Sequence, residues 1–255
     1  MSGEFSGKVA LITGAASGIG KETARQFLQE DASVLITDIN EAEGKRFCEE
    51  LGAPERAKFC TLDVSKEESW EAAIAFNRKA FGKLDILVNS AGIAVSIPLE
   101  EMSLKDWQFQ NSINLDGTFL GVKYAILEMK ETAGAIVNIA SIAADVGIFA
   151  APGYCASKAG VKNFTKAAAL YCGQYGYKIR VNAIMPGYID TPMVSGVLKQ
   201  QGTPGSFGEK LRKLHPIGHF GEPEDIAAGI LFAASDKAKF MTGSAIPIDG
   251  GYLAQ

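Results

Sequence analysis

Thr13-Gly14-Ala15-Ala16-Ser17-Gly18-Ile19-Gly20 follows directly on the apolar run Val9-Ala10-Leu11-Ile12 and opens a stretch with helical spacing. Glycines at such a turn permit a tight bend and let a diphosphate approach the backbone, its charge resting on the helix N-terminus. Gly14, Ser17, Gly18, Ile19 and Gly20 are therefore candidate contacts to a dinucleotide. A glycine-rich turn can also be purely structural. Asp38 adds the weight, standing eighteen residues after Gly20 at the end of the second apolar run. A carboxylate there accepts hydrogen bonds from the adenosine ribose hydroxyls and repels a 2′-phosphate. A nucleoside-triphosphate loop fails on inspection, since Lys21 is followed by Glu22 and Ala15 occupies the place of the leading glycine.

Outward from this turn, short β-branched runs alternate with longer helical stretches. Val9–Ile12, Ser33–Thr37, Lys58–Leu62, Leu84–Val88, Ala135–Ile139, Ile179–Ala183 and Ala245–Ile248 read as strands. The first, fourth and fifth are nearly continuous apolar runs, the pattern of strands buried on both faces. Helical spacing follows Gly18 and recurs over Glu41–Leu51, Lys66–Phe81, Leu104–Lys130, Tyr154–Tyr171 and Pro223–Ala234. This alternation predicts an α/β chain with one doubly wound parallel sheet of about seven strands and helices on both faces. A single domain over residues 1–255 is expected, with an irregular, Gly- and Pro-rich lid or substrate loop over 185–220.

Hydrophobic residues make up 47 % of the 255 positions, enough for a large core and too many for a disordered chain. A net charge of −4 gives no electrostatic footprint for nucleic acid or anionic lipid. No uncharged stretch reaches the ~20 apolar residues of a membrane span, and the N-terminus does not read as a signal peptide. Cys48, Cys60, Cys155 and Cys172 are too widely spaced for a zinc site or a disulfide framework, so free thiols in a cytoplasmic protein are expected. The two histidines, His215 and His219, leave almost no room for a Ser-His-Asp triad or a metal helix. No metal is expected.

Acid–base work must then use other groups, and Tyr154-Cys155-Ala156-Ser157-Lys158 offers them. The i, i+4 spacing puts Tyr154 and Lys158 on one helical face. A nearby ammonium favours phenolate and is expected to lower the Tyr154 pKa toward the working range. Alone, this pattern is a common accident. Ser141 at the end of the fifth strand turns the accident into a site, because its hydroxyl can hold a carbonyl or alcohol oxygen. Asp63 and Val64 close the third strand near the place of an adenine amino group. Asn89, Ala91 and Gly92 end the fourth, where open α/β sheets bind ligands. Asn89 also reads as a buried amide tying strands together.

These residues carry a resemblance. Thr13-Gly-x-x-x-Gly-Ile-Gly20, Asp63, Asn89-Ser-Ala-Gly92, Asn114, Ser141, Tyr154-x-x-x-Lys158 and Pro186-Gly187 resemble the short-chain dehydrogenase/reductase superfamily along essentially the whole chain. The resemblance implies a Rossmann-type fold and a catalytic set of Asn114, Ser141, Tyr154 and Lys158. It assigns Asn114 a water that relays protons to Lys158, and places Pro186, Gly187, Ile189 and Thr191 beside the nicotinamide. One departure is Ser90, where the family usually carries a second Asn. The run Met185–Pro192 and the ending Asp249–Gln255 resemble bacterial secondary- and cyclic-alcohol dehydrogenases. The rivals are 3-oxoacyl-carrier-protein reductases, which carry a basic residue where this chain has Ser17. Asp38, with neither Arg nor Lys at Ser17 or Ile39, tips the expectation to NAD. The expected substrate is a small secondary alcohol or its ketone, cyclic or aryl-substituted. Val95, Ile142, Ala143, Phe149, Tyr188, Met193 and Val197 are candidates to line its pocket. A non-catalytic NAD-binding protein remains the reading from another class, but it gives no reason for an intact catalytic set. The resemblance further implies a homotetramer, with the C-terminal strand and the 104–130 and 154–171 helices at its interfaces.

Overall fold

Alternating apolar residues on seven strands divide the molecule into two cores, one on each face of a sheet. The computed structural model describes residues 3–200 and 206–255, the side chains of 197–200, 206 and 207 excepted. The strands are β1 (Val9–Thr13), β2 (Ser33–Asp38), β3 (Ala57–Thr61), β4 (Ile86–Asn89), β5 (Gly134–Ile139), β6 (Ile179–Pro186) and β7 (Ala245–Ile248). All pair in parallel in the order β3-β2-β1-β4-β5-β6-β7. Between them run α1 (Gly18–Gln29), α2 (Glu41–Glu50), α3 (Glu67–Phe81), α4 (Leu104–Asn111), α5 (Gly117–Met129), α6 (Pro152–Gln174), α7 (Pro192–Gln200), α8 (Ser206–Lys213) and α9 (Pro223–Ala234).

Successive strand residues point to opposite faces. Ala10, Ile12, Val34, Ile36, Val88 and Val137 pack under α1, α2 and α9, around Phe27, Phe47 and Ile230. Leu11, Leu35, Leu87, Ile136 and Val181 pack on the other face against α3, α5 and α6, around Trp70, Met129 and Cys172. Strand order reverses between β1 and β4, both starting points for chains that run outward in opposite directions. That switch point opens a crevice beyond the carboxyl ends of the strands.

Two expectations are corrected. The 104–130 stretch is not one helix. Residues Ser112–Asp116 form a π-helical turn between α4 and α5, and the extra residue in that turn carries Asn114 inward to complete burial. Among the described residues, the 185–220 stretch is not irregular either. Met185 and Pro186 belong to β6, and α7 and α8 fill much of the rest. Pro192 is the first residue of α7, where a missing N–H costs nothing, so proline density there marks a helix start.

Candidate active site

The glycine turn is dictated by close approach. Gly14 has φ +64°, and a Cβ on it would lie 2.7 Å from the Ala91 Cα. A Cβ on Gly20 would lie 2.4 Å from the Gly14 carbonyl oxygen. Ser17 precedes α1 with no capping bond from its side chain, and the first helical bond is made by Lys21. The N–H groups of Gly18, Ile19 and Gly20 therefore lack helical partners and border the crevice. Positive helix-end potential and open donors suit a diphosphate. At the far side Asp38 is held in place, its Oδ2 accepting from the Ala16 N–H at 3.0 Å and its Oδ1 from Asn40 at 2.9 Å.

The crevice encloses about 330 Å³. Gly14, Ser17, Gly18, Ile19, Gly20, Asp38, Asp63, Val64, Ala91, Gly92, Ser141, Tyr154, Lys158, Pro186, Gly187, Ile189, Thr191 and Met193 all line it. Asp63 accepts from the Ser65 N–H and hydroxyl and faces Lys66 at 3.4 Å. Burial pushes its carboxyl upward, but the Ser65 bonds and Lys66 outweigh it and hold the group below its ordinary value.

At the inner end, burial dominates. It pushes the Tyr154 phenol up, and the neighbouring Ser141 hydroxyl acts in the opposite direction. The Ser141 Oγ accepts from the Ala143 N–H at 3.1 Å, which leaves its O–H to donate. Burial also lowers Lys158 from 10.5 to about 8. The expected lowering of the Tyr154 pKa by Lys158 is thus overturned by desolvation, which acts against both charged forms. The ammonium donates to the Ile139 carbonyl at 2.7 Å and lies 5.8 Å from the Tyr154 ring centre.

Seven predicted residues are not among those that line the crevice. Asn89 is 4 % exposed and donates to Asn138 Oδ1 at 2.9 Å, so it is the strand-tying amide and not a crevice wall. Asn114 accepts from the Ile93 N–H at 2.9 Å and donates to the Ile93 carbonyl at 2.9 Å and Ser157 at 3.0 Å. One amide N–H thus fixes the loop after Gly92, and the other ties Asn114 to Ser157 of α6. Val95 turns its N–H to Gln110 at 2.9 Å, and Ala143 is buried behind Ser141. Phe149 is 93 % exposed on the loop before α6. The Tyr188 ring packs against His215, Phe220 and Tyr252, and its phenol lies near enough to Tyr154 for that neighbour to add to the upward push of burial. Ile142 is likewise core, and the side chain of Val197 lies outside the described residues. Sequence reasoning passed over Ile39, Ile93, Ile113, Pro192 and Val194, which also line the crevice. Ile39, beside Asp38, was findable from its neighbour, whereas the others carry no signal beyond hydrophobicity. Among the described residues no group of three His, Cys, Asp or Glu could hold a metal, and no helix is long and apolar enough to cross a membrane.

A parallel doubly wound sheet whose switch-point crevice joins a diphosphate cradle to a serine–tyrosine–lysine cluster defines a nucleotide-dependent oxidoreductase. The chain belongs to the short-chain dehydrogenase/reductase family, whose members use a nicotinamide cofactor on CH–OH groups. A family model described as enoyl-(acyl carrier protein) reductase matches residues 14–253. The NADP-dependent (R)-specific alcohol dehydrogenase of Lentilactobacillus kefiri is 38 % identical over all of both chains. The cyclohexanol dehydrogenase of Acinetobacter sp. (strain SE19) is 39 % identical over 100 % of this chain and 98 % of its own. The crystal structure of levodione reductase superposes with a TM-score of 0.92 at 35 % identity, covering 98 % of this chain and 99 % of that one.

Proposed function

We propose that this protein uses NAD to oxidise a neutral cyclic or aryl-substituted secondary alcohol, or to reduce its ketone. The observation that carries the reading is the meeting of Ser141, Tyr154 and Lys158 at the inner end of the same crevice that Asp38 closes at the outer end. When bound, a nicotinamide dinucleotide supplies the hydride acceptor and, in its oxidised form, a positive charge beside Tyr154. Tyr154 takes the alcohol proton as general base, and the Ser141 hydroxyl orients the alcohol oxygen. Lys158 holds the nicotinamide ribose hydroxyls. Asn114 positions the Gly92–Ile93 loop beneath them. Asp38 accepts from the adenosine ribose hydroxyls, with the α1 N-terminus holding the diphosphate. Pro186, Gly187, Ile189 and Thr191 flank the nicotinamide. The names of the cyclohexanol and levodione enzymes support a cyclic substrate, and the apolar side chains of Ile93, Ile113, Met193 and Val194 favour a neutral one. In this reading the enzyme works as a homotetramer in the cytoplasm.

The Lentilactobacillus kefiri relative is named for NADP, which makes cofactor choice the sharpest test. Repulsion between the Asp38 carboxylate and a 2′-phosphate, with no base at Ser17 or Ile39 to offset it, should favour NAD by about 10- to 100-fold in kcat/KM. Rates with NAD and NADP are measured on cyclohexanol and 1-arylethanols, beside the reduction of an acetoacetyl thioester. Equal or better use of NADP would refute the cofactor assignment. Faster thioester reduction, lost on reversing the exposed charges Arg212 and Lys213 of α8, would install a carrier-protein reductase instead.

A further inference from the structure

His215 takes no part in proton transfer, yet it is 2 % exposed and bonded at both nitrogens. It lies just beyond α8. Its Nδ1 is 2.9 Å from the Leu211 carbonyl, and its Nε2 is 3.1 Å from the Tyr188 N–H. A carbonyl only accepts and an amide N–H only donates. The ring is therefore neutral, with its proton on Nδ1 and a lone pair on Nε2. Tyr252, Tyr188 and Phe220 enclose it with ring centres 5.4, 5.7 and 5.9 Å away.

The ring is also tightly fitted. A Cβ on Gly187 would lie 2.9 Å from Nε2, so imidazole and strand end are in direct contact. Tyr188 stands between Gly187 and Ile189, both of which line the crevice. Two residues past the ring, the Ile217 N–H donates to the Gly250 carbonyl at 3.2 Å. One side chain thus joins the end of α8, the crevice wall at the end of β6 and the C-terminal turn.

We infer that His215 is the positioning residue for the Gly187–Ile189 wall, its Nε2 lone pair holding the Tyr188 N–H, and that removing this acceptor releases the wall and weakens substrate and cofactor binding. The inference rests on the oxidoreductase reading of the crevice. Without a lone pair at that place the part-buried Tyr188 N–H has nothing to donate to. The other titratable or charged groups facing the ring offer no replacement. Tyr188 stays neutral because burial pushes its phenol to about 12. Asp249 spends its carboxylate on the Gly251 and Leu253 N–H groups at 3.0 and 2.9 Å. Arg212 lies over the Phe220 ring at 5.1 Å, Tyr252 contributes a ring face, and His219 turns to the Phe220 carbonyl.

The test compares the wild type with His215→Gln, whose amide oxygen can accept from Tyr188, and with His215→Leu, which cannot accept. Hydrogen-exchange protection of the Tyr188 amide is followed without cofactor, and alcohol KM, NADH dissociation constant and kcat are measured beside it. His215→Leu should lose the protection and raise KM and the NADH constant about three- to tenfold, the worth of one net hydrogen bond, with kcat changed less. His215→Gln should keep both readouts near the wild type. If His215→Leu does not fold, exchange of the Tyr188 amide in the wild type and in His215→Gln decides alone. An unprotected Tyr188 amide in the wild type, or protection and binding unchanged in His215→Leu, overturns the inference. Should the wild type oxidise no alcohol, the functional reading falls by itself, and Tyr188 exchange still decides the role of His215.

Discussion

Lys158 is costly to keep charged. Its depression from 10.5 to about 8 comes from burial, since its one close partner is the neutral Ile139 carbonyl. Between those two values the unfolded chain binds the lysine proton and the folded chain does not, so stability rises with pH across that window. Below about pH 8 the full penalty is present. At 1.36 kcal/mol per unit, the wild type should gain about 2 kcal/mol between pH 7.5 and 9.5 relative to Lys158→Met, which has nothing to titrate. Urea unfolding of both proteins across that range measures it, and parallel curves would show that Lys158 titrates normally. The half-buried Tyr154, its phenol pushed up by desolvation, acts in the opposite sense only above pH 10, where the unfolded chain ionises first. The tyrosine has its own signature. Removing the phenol oxygen with Tyr154→Phe should cut alcohol turnover about 10²- to 10⁴-fold, the usual worth of a general base, while NADH fluorescence titrates as in the wild type. Retention of a tenth of wild-type turnover would remove Tyr154 from the proton transfer.

Elements differ in how openly the sequence announces them. The central strands read clearly because a strand between two helical layers must be apolar on both faces, as in Ala10, Leu11 and Ile12 of β1, whereas the partly exposed edge strands β3 and β7 read from their position in the alternation. The π-turn at Ser112–Asp116 was illegible, since one inserted residue leaves the apolar spacing of α4 and α5 helical on either side. The crevice residues that sit at strand ends or in the glycine turn were legible for the same reason as the strands. Phe149 was misplaced because loop side chains follow no period, and hydrophobicity does not say which way they point. Packing between elements makes a sharper claim at Gly121 of α5. A Cβ there would lie 2.3 Å from Asn89 Oδ1 and 2.8 Å from Trp70 Cη2. Neither neighbour can yield, because Asn89 is tied to Asn138 and buried Trp70 donates to the Val64 carbonyl at 3.0 Å. Gly121→Ala should therefore destabilise by about 1–3 kcal/mol despite alanine's better helix propensity. Gly173 of α6 has open space around its Cβ position, and Gly173→Ala should instead stabilise by about 0.5–1 kcal/mol. Urea midpoints that move the same way for both would refute the packing argument.

At the scale of the whole molecule, large apolar side chains stand exposed on two sides of the sheet. On one side, the outer face of α6 and the residues beyond it expose Leu170 by 75 %, Tyr171 by 48 % and Tyr175 by 60 %, with Phe119 and Leu127 of α5 also exposed. On another, Phe232 of α9 is 49 % exposed and Phe240 fully so, near β7 at the open edge of the sheet. Contiguous apolar surface of this kind marks association, and an unpaired edge strand calls for a cover. Each patch can pair with its own copy across a two-fold axis, and two different isologous contacts on one chain close into a tetramer with D2 symmetry. Light scattering should accordingly give four times the chain mass. A charge placed in either patch should halve that mass and leave the other contact whole, so Leu170→Glu with Tyr171→Glu and Phe232→Glu with Phe240→Glu should each yield dimers. The two pairs combined should yield monomers. A wild type that is monomeric at micromolar concentration, or a tetramer that survives both charged pairs, would mean that these apolar faces do not join copies of the chain.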